Sequence, residues 1–496
     1  MERVEDNRVE SNWPFLAVVR ILGIVIALFS LTMLVPVGVA LYYNDAALIA
    51  YDEAILITGI SGILIAAATW WHKRELYPRD GFLLVALVWM VLPVFAAIPF
   101  LRYFPDITFA QAYFEAVSGL TTSGSTVLVG LDDMPQSILI WRALLQWLGG
   151  MGILILALAI LPLLGVGGMQ IYRAEMAGPI KDSKLTPRIA ETAKLLYGVY
   201  LFFSLACFFA YWAAGMTPFD AVVHTGSTMA LGGLSSHDAS FGYFDSPMIE
   251  WVAIVFMLIA GVNFVVHAVA LRTLSFKSYF LDTQAKWFWF TVLAGSGVVG
   301  IFLFLNNVYP TFSESMRHAL FNTIAVATTT GYSTQDYGAW PPFAGWFMIF
   351  LSAFATSSGS PGSGIKMIRL VLLVKQARRE LLRIIHPRLV SPVQLGESVV
   401  SNKVIFAVLA YMLFYGATVM VASFLLLMSG MDPITAVSAT LASVNNLGPG
   451  LGEVGPASTY AGLTSFQLWV CSIAMLLGRL ELLTLLVVLT PAFWRD

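Results

Sequence analysis

Apolar residues in this chain come in long runs that polar residues interrupt at regular intervals. Runs at about 14–42 and 50–71 predict an opening pair of helices, since about 20 apolar residues at about 1.5 Å rise each cross a bilayer core. From residue 82 a unit recurs: a full run, a half-length run, a glycine-bearing polar turn and a second full run. The first unit has runs at 82–101 and 137–166, with its half-run at 107–120. Later units use 190–214 with 248–271, 286–308 with 342–375, and 402–429 with 465–491. The half-runs share a register. An alanine stands twelve residues before a glycine at Ala112 and Gly124, Ala221 and Gly233, Ala319 and Gly331, and Ala436 and Gly448. Ten full spans and four half-spans leave no soluble domain. The expected fold is an all-α integral membrane protein. A transmembrane hairpin in 1–75 precedes four parallel helix–pore-loop–helix repeats, at 76–170, 171–280, 281–390 and 391–496, in pseudo-four-fold arrangement.

Composition agrees. Of 496 residues 58% are hydrophobic and 11% charged, with a mean hydropathy of +0.80. A soluble chain carries about 25% charged residues, so the solvent of this surface is largely lipid. The first apolar run is longer than a signal-peptide core, and Glu2, Glu5 and Asp6 dilute the positive charge before it, so it reads as a retained first helix. Cys207 and Cys471 lie inside apolar spans and read as inert packing residues.

Basic residues set the orientation. Arg173, Lys181, Lys184 and Arg188, then Arg272 and Lys277, then Arg378, Arg379, Arg383 and Arg388 follow even-numbered spans. The connections with the glycine turns carry mainly acids, among them Asp132, Asp133, Asp238, Asp245, Glu250, Asp336 and Glu453. By the positive-inside rule the turns open outward and both termini are cytoplasmic. Repeats running parallel fit a channel better than an inverted-repeat carrier.

Irregular backbone at membrane depth is tolerated where it is buried or lines water. Four glycine turns at one depth are most simply explained by a shared axis, with carbonyls replacing an ion's hydration shell. The candidate ion-binding residues are Thr121, Thr122 and Gly124; Leu231, Gly232 and Gly233; Thr329, Thr330 and Gly331; and Asn446, Leu447 and Gly448. Their side chains do not match, so backbone oxygens carry the coordination. Half-helices starting at Asp106, Asp220, Ser313 and Asp432 would aim their C-terminal ends at the centre and favour a cation.

A second polar stretch, Ala355 to Gly364, breaks the second helix of the third unit ahead of Lys366. Gly359, Gly362, Gly364 and Lys366 are its candidate gate residues, and a kink without gating is the plainer alternative. Ile365 stands where a phosphate-binding loop needs lysine, which argues against nucleotide binding there. Arg479, deep in the last span, is expensive at that depth. Two compatible roles are open to it: a charge beside the permeation path, or a structural pairing with Glu115 or with loop carbonyls. His224 and His318 read as hydrogen-bonded packing residues.

Several stretches resemble the Trk/Ktr/HKT superfamily of cation transporters, specifically its bacterial TrkH/TrkG branch. They are Phe114 to Gly124, Trp147-Leu148-Gly149-Gly150-Met151-Gly152, Gly232 to Asp238, Asn445 to Gly450, and Gly478-Arg479-Leu480-Glu481. The resemblance covers essentially the whole chain, and the opening hairpin favours this branch over the similar KtrB. It implies potassium uptake across the bacterial inner membrane, with potassium as permeant ligand and no cofactor. It also implies a homodimer in the bilayer, and control by a cytosolic TrkA-type nucleotide-binding subunit; no nucleic acid is involved. The filter glycines map onto Gly124, Gly233, Gly331 and Gly448, the gate onto about 355–365, and the pore arginine onto Arg479. Sodium-admitting relatives often carry serine at the first filter glycine, so Gly124 points to potassium. Relatives have a more glycine-rich gate, and Pro361 is expected to stiffen this one. A sodium-permeable or ion-coupled symporter on the same scaffold is the alternative function. A membrane-embedded enzyme would need convergent catalytic groups, whereas the acids lie mostly in loops and the six histidines are scattered.

Overall fold

A computed structural model describes residues 15–72, 77–159, 185–395 and 398–495 of the chain. Apart from a two-stranded ribbon (β1 Gln394–Leu395, β2 Ser398–Val399), its regular structure is helical. The connection holding Arg173, Lys181 and Lys184 lies outside the described residues.

The chain opens with α1 (Leu16–Ser30) and α2 (Leu34–Tyr43), which run on as one span, and α3 (Leu48–Ala68) returns beside them. Glycines set how closely they cross: a Cβ on Gly23 would stand 2.7 Å from the Ala66 amide nitrogen, and one on Gly62 would strike the Ala27 backbone. Small residues at a crossing let membrane helices associate through backbone contact. A first span follows as α4 (Pro78–Ala96) and α5 (Ile98–Tyr103), then the short α6 (Phe109–Leu120) and α7 (Gln136–Ala159). The hairpin docks on the start of α7. Asp45 accepts from the Ser137 amide at 3.0 Å, and the Tyr51 hydroxyl donates to the Ser137 carbonyl at 2.9 Å.

The next stretch contains α8 (Leu185–Ala213), the short α9 (Pro218–Ala230), and α10 (Pro247–Ala260) with α11 (Phe264–Thr273). After the brief α12 (Lys277–Leu281) come α13 (Thr283–Leu305), α14 (Phe312–Ala327), α15 (Pro342–Ser352) and α16 (Met367–Ile385). The last quarter holds α17 (Asn402–Met428), the short α18 (Pro433–Asn445), α19 (Ser465–Arg479), α20 (Leu483–Leu489) and α21 (Pro491–Trp494). Phe406, Leu413 and Phe424 project from α17 into the surroundings. An apolar face of that kind is at home in lipid and a liability in water.

Among the described residues six helices are long and apolar enough to cross a bilayer, or up to eight if each of two bent pairs counts as one span. The sequence predicts ten full spans, one of them broken at Ala355 to Gly364; two more are broken in the structure. The runs at 248–271 and 465–491 are each broken: α10 and α11 meet at 96°, and α19 and α20 at 111°. The apolar residues on either side of each break hid it. At the first, Asn263 starts a new helix by accepting from the Val265 amide at 2.9 Å. At the second, Glu481 and Leu482 take positive φ of 55° and 53°.

The short helices α6, α9, α14 and α18 have 12, 13, 16 and 13 residues, too few to span about 30 Å of hydrocarbon. Three begin on a threonine that sequence reading placed elsewhere. Thr108, Thr217 and Thr311 are the N-caps, their hydroxyls accepting from the amides of Gln111, Asp220 and Glu314. Asp106 and Ser313 are not caps, and Asp220 sits in the first turn. Only Asp432 caps as expected, accepting from the Ile434 and Thr435 amides. Each cap satisfies amides that the first helical turn leaves without partners.

Candidate ion pathway

All four short helices end in the same way. The residue before each key glycine donates its amide to the carbonyl five back: Ser123 to Ser118 at 2.8 Å, Gly232 to Ser227 at 2.9 Å, Thr330 to Ala325 at 2.8 Å and Leu447 to Ala442 at 2.8 Å. A six-to-one bond of this kind needs a left-handed residue, supplied by Thr122, Leu231, Thr329 and Asn446 with φ of 56°, 54°, 61° and 50°. Two residues on, the glycines are left-handed again, at 87° for Gly124, 78° for Gly233, 82° for Gly331 and 96° for Gly448. Alternation of hand along a backbone turns successive carbonyls toward one side.

The turns meet in cyclic order. A Cβ on Gly124 would strike the Gly232 carbonyl oxygen, one on Gly233 that of Thr330, and one on Gly331 that of Leu447. On Gly448 it would come 2.9 Å from the Ser123 oxygen, which closes the ring. Of the twelve residues proposed from sequence, Gly124, Gly232, Gly233, Thr330, Gly331, Leu447 and Gly448 make these contacts, and Ser123, which was not proposed, supplies the fourth carbonyl. Above them lies a cavity of about 80 Å³ lined by Gly124, Gly233, Gly331, Pro449, His237 and Tyr460. Among the described residues no cluster of His, Cys, Asp and Glu could hold a metal ion, so backbone carbonyls and hydroxyls are the oxygens on offer.

Behind the first turn sits a buried ion pair that sequence reading missed. Arg142 on α7 donates from Nε to Glu115 at 2.8 Å, and its other nitrogens reach Thr126 at 3.0 Å and the Ser235 carbonyl at 3.2 Å. Glu115 also accepts from Thr126 and from the Val127 amide, at 2.9 and 3.0 Å. Glu115 is therefore not the partner of Arg479. The signal was available, because Arg142 is a charge in mid-run just as Arg479 is.

The stretch between α15 and α16 is packed directly beneath the third turn. The Ser363 amide donates to the Thr329 hydroxyl at 3.2 Å, and a Cβ on Gly362 would lie 3.1 Å from the Thr328 carbonyl. Arg479 reaches into this stretch, donating to the Pro361 carbonyl at 2.6 Å and the Ser363 hydroxyl at 3.2 Å; its second nitrogen reaches the Gly149 carbonyl at 3.0 Å. Of the two pairings considered for it, the one with loop carbonyls is the one present. Lys366 folds back on the same stretch and donates to the carbonyls of Gly362 and Ser360. Its own backbone is left-handed at φ 74°, a conformation that costs a non-glycine residue about 1–3 kcal/mol. Gly359 and Gly364, at φ 79° and 87°, give the chain its remaining reversals. Just beyond, Glu481 pairs with Arg369, whose guanidinium lies 4.0 Å over the Tyr411 ring.

His224 is fully buried and bonded at both ring nitrogens, to the Asp220 carbonyl at 2.8 Å and Ser235 at 3.0 Å, as befits a packing residue. His318 meets Thr334 at 3.2 Å and stacks on Tyr309. His237, in the loop above the second turn, differs. It stacks on Tyr243 at 3.5 Å, with Asp132 at 2.5 Å on one side and Asp220 at 3.3 Å on the other. Burial opposes its charge, but hydrogen bonds to Asp220 and Asp132 outweigh burial and hold its pKa above the usual 6.5. The stability this contributes is complete below the unfolded value and disappears as pH rises through the higher folded one. The purified protein is expected to melt at lower temperature at about pH 9 than at about pH 6. Asp132→Asn should shrink that difference; an unchanged difference would remove His237 as its source.

A family model described as "TrkH: Cation transport protein" matches residues 52–495. The chain is 45% identical over 485 residues to the Trk system potassium uptake protein TrkH of Vibrio parahaemolyticus, covering 97% of this chain and 100% of that protein. It is 34% identical over 481 residues to the Trk system potassium uptake protein TrkG of Escherichia coli, covering 96% and 97% of the two chains. The crystal structure of the potassium transporter TrkH from Vibrio parahaemolyticus superposes with a TM-score of 0.90 at 42% identity, over 97% of this chain and 100% of that one. With its short helices, cyclic turns and buried arginines in place, the chain belongs to the TrkH family of cation transport proteins.

Proposed function

We propose that this protein takes up potassium across the bacterial inner membrane through a filter made by the four turns. The observation that carries the reading is the ring itself, in which each glycine lies against the carbonyl of the next turn. Four carbonyls so placed offer a dehydrated cation a cage of oxygens. The names of the relatives as potassium uptake proteins supply the ion. In this reading the segments 76–170, 171–280, 281–390 and 391–496 are repeats about a pseudo-four-fold axis, behind a hairpin at 1–75. The stretch at 355–365 together with Arg479 is the gate, closed in this conformation because the guanidinium ties the stretch beneath the turns. Both termini are cytoplasmic. The protein works as a homodimer, and the basic face around Arg378, Arg383 and Arg388 receives a cytosolic nucleotide-binding subunit.

Complementation of a strain lacking potassium uptake tests the function. Replacement of Gly124 by serine tests the filter and separates potassium from sodium conduction. The variant is expected to lower rubidium uptake relative to sodium uptake, because its Cβ drives the Gly232 oxygen out of place. A ratio equal to that of the parent protein, with the variant present in the membrane, would reject the filter.

A further inference from the structure

The four residues that precede the ring glycines occupy equivalent positions, and three of them carry side chains: Ser123, Thr330 and Leu447. The fourth is Gly232, although its φ is not positive and its own turn does not require a glycine there. The space answers why. A Cβ on Gly232 would collide with the amide of Gln146, 2.6 Å from Nε2 and 2.7 Å from Oε1. Gln146 comes from α7, in the preceding unit, and is fully buried. Its Nε2 donates to the Gly232 carbonyl at 2.5 Å, and its Oε1 accepts from the Leu234 amide at 3.2 Å. Both ends of one side chain are thus spent on the second turn. Gln146 fills the volume that a side chain at position 232 would take.

This contact makes the ring chemically uneven. Among the described residues no protein donor reaches the carbonyls of Ser123, Thr330 or Leu447, whereas that of Gly232 already accepts one. A carbonyl oxygen has two lone pairs, and one of this oxygen's is committed to the amide. Three oxygens are free to face a cation at full strength and the fourth is attenuated and held in place. Small cations need strong ligands to repay their larger dehydration cost, so weakening one ligand penalises sodium more than potassium.

We propose that Gln146 is a positioning residue for selectivity, supplying from the neighbouring unit the side chain that the second turn lacks and tuning the Gly232 carbonyl toward the larger cation. The proposal rests on the filter reading above.

Rubidium and sodium uptake in cells lacking potassium uptake, each normalised to protein in the membrane, tests it. Gln146→Met keeps the volume and removes both hydrogen bonds. It is expected to lower the rubidium-to-sodium ratio about fivefold, the worth of roughly one net hydrogen bond. A purely structural role would lower both fluxes together and leave the ratio alone, and that result overturns the proposal. Should Gln146→Met not reach the membrane, a steric pair decides. Gly232→Ala alone is expected to abolish uptake, and Gly232→Ala with Gln146→Ala to regain rubidium uptake at the lowered ratio. A single variant that transports normally, or a double variant no better than the single, overturns the proposal. Gly331→Ser, across the ring from Gln146, separates the two readings. If it leaves the ratio unchanged the filter itself is wrong; if it shifts the ratio and Gln146→Met does not, the filter stands and Gln146 has no part in it.

Discussion

Replacing Arg142 with methionine is expected to cost the folded protein about 3–5 kcal/mol, the penalty of leaving one member of a buried ion pair alone. Glu115 would keep its bonds to Thr126 and the Val127 amide but lose its cation at a site with almost no exposure. The Ser235 carbonyl would lose its donor as well, so the damage would reach from the first turn to the second. Set against a typical stability of about 5–15 kcal/mol, a loss of this size should leave little protein that survives detergent extraction as a single species. Removing both charges tells stability from chemistry. Glu115→Gln with Arg142→Met should recover much of the yield, because breaking a buried pair costs more than replacing it. Size-exclusion profiles and melting curves of the two variants and the parent protein read this out. An Arg142→Met protein that melts with the parent would mean that the pair is not desolvated as the geometry has it.

Alanine at position 479 should act in the opposite sense and raise uptake, by at least about tenfold, since each hydrogen bond from a charged group is worth about 1.5–3 kcal/mol. Arg479 ties the stretch beneath the turns through Pro361 and Ser363, and anchors that tie to α7 through Gly149. On the proposed reading it also places a positive charge beside the cation path. The alanine variant removes both obstacles, and initial rates of rubidium uptake in a potassium-uptake-deficient strain measure the gain. Lysine keeps the charge but is a single point donor, without the planar fork that reaches Pro361 and Gly149 together. It should give an intermediate rate. A fall in rate for the alanine variant at unchanged membrane abundance would assign Arg479 to structure alone.

The helical fold and the four turns were legible because their determinants are local. The alanine-to-glycine spacing counts out one short helix and its left-handed ending, and the backbone repeats that ending at Gly124, Gly233, Gly331 and Gly448. Other features depend on partners far away in sequence. Nothing near Arg142 announces Glu115, and nothing near Gln146 announces Gly232. The bends at Asn263 and at Glu481 and Leu482 were invisible for a different reason. Hydropathy records solvent preference averaged over a run, so Asn263 at the 96° bend and Arg479 with Glu481 at the 111° bend were outweighed by their apolar neighbours. Neighbouring polar residues drew attention away from the threonine caps, since Asp106 stands two residues before Thr108, Asp220 three past Thr217 and Ser313 two past Thr311.

The ring closes only when Gly448 comes to rest against Ser123, so its last quadrant is made near the end of synthesis. A ribosome that stalls earlier leaves a partial arc whose carbonyls have no fourth side. On the filter reading proposed above, such a fragment offers a bare cation too few oxygens, and a half-made chain poses little risk of a selective leak to the cell that is still building it.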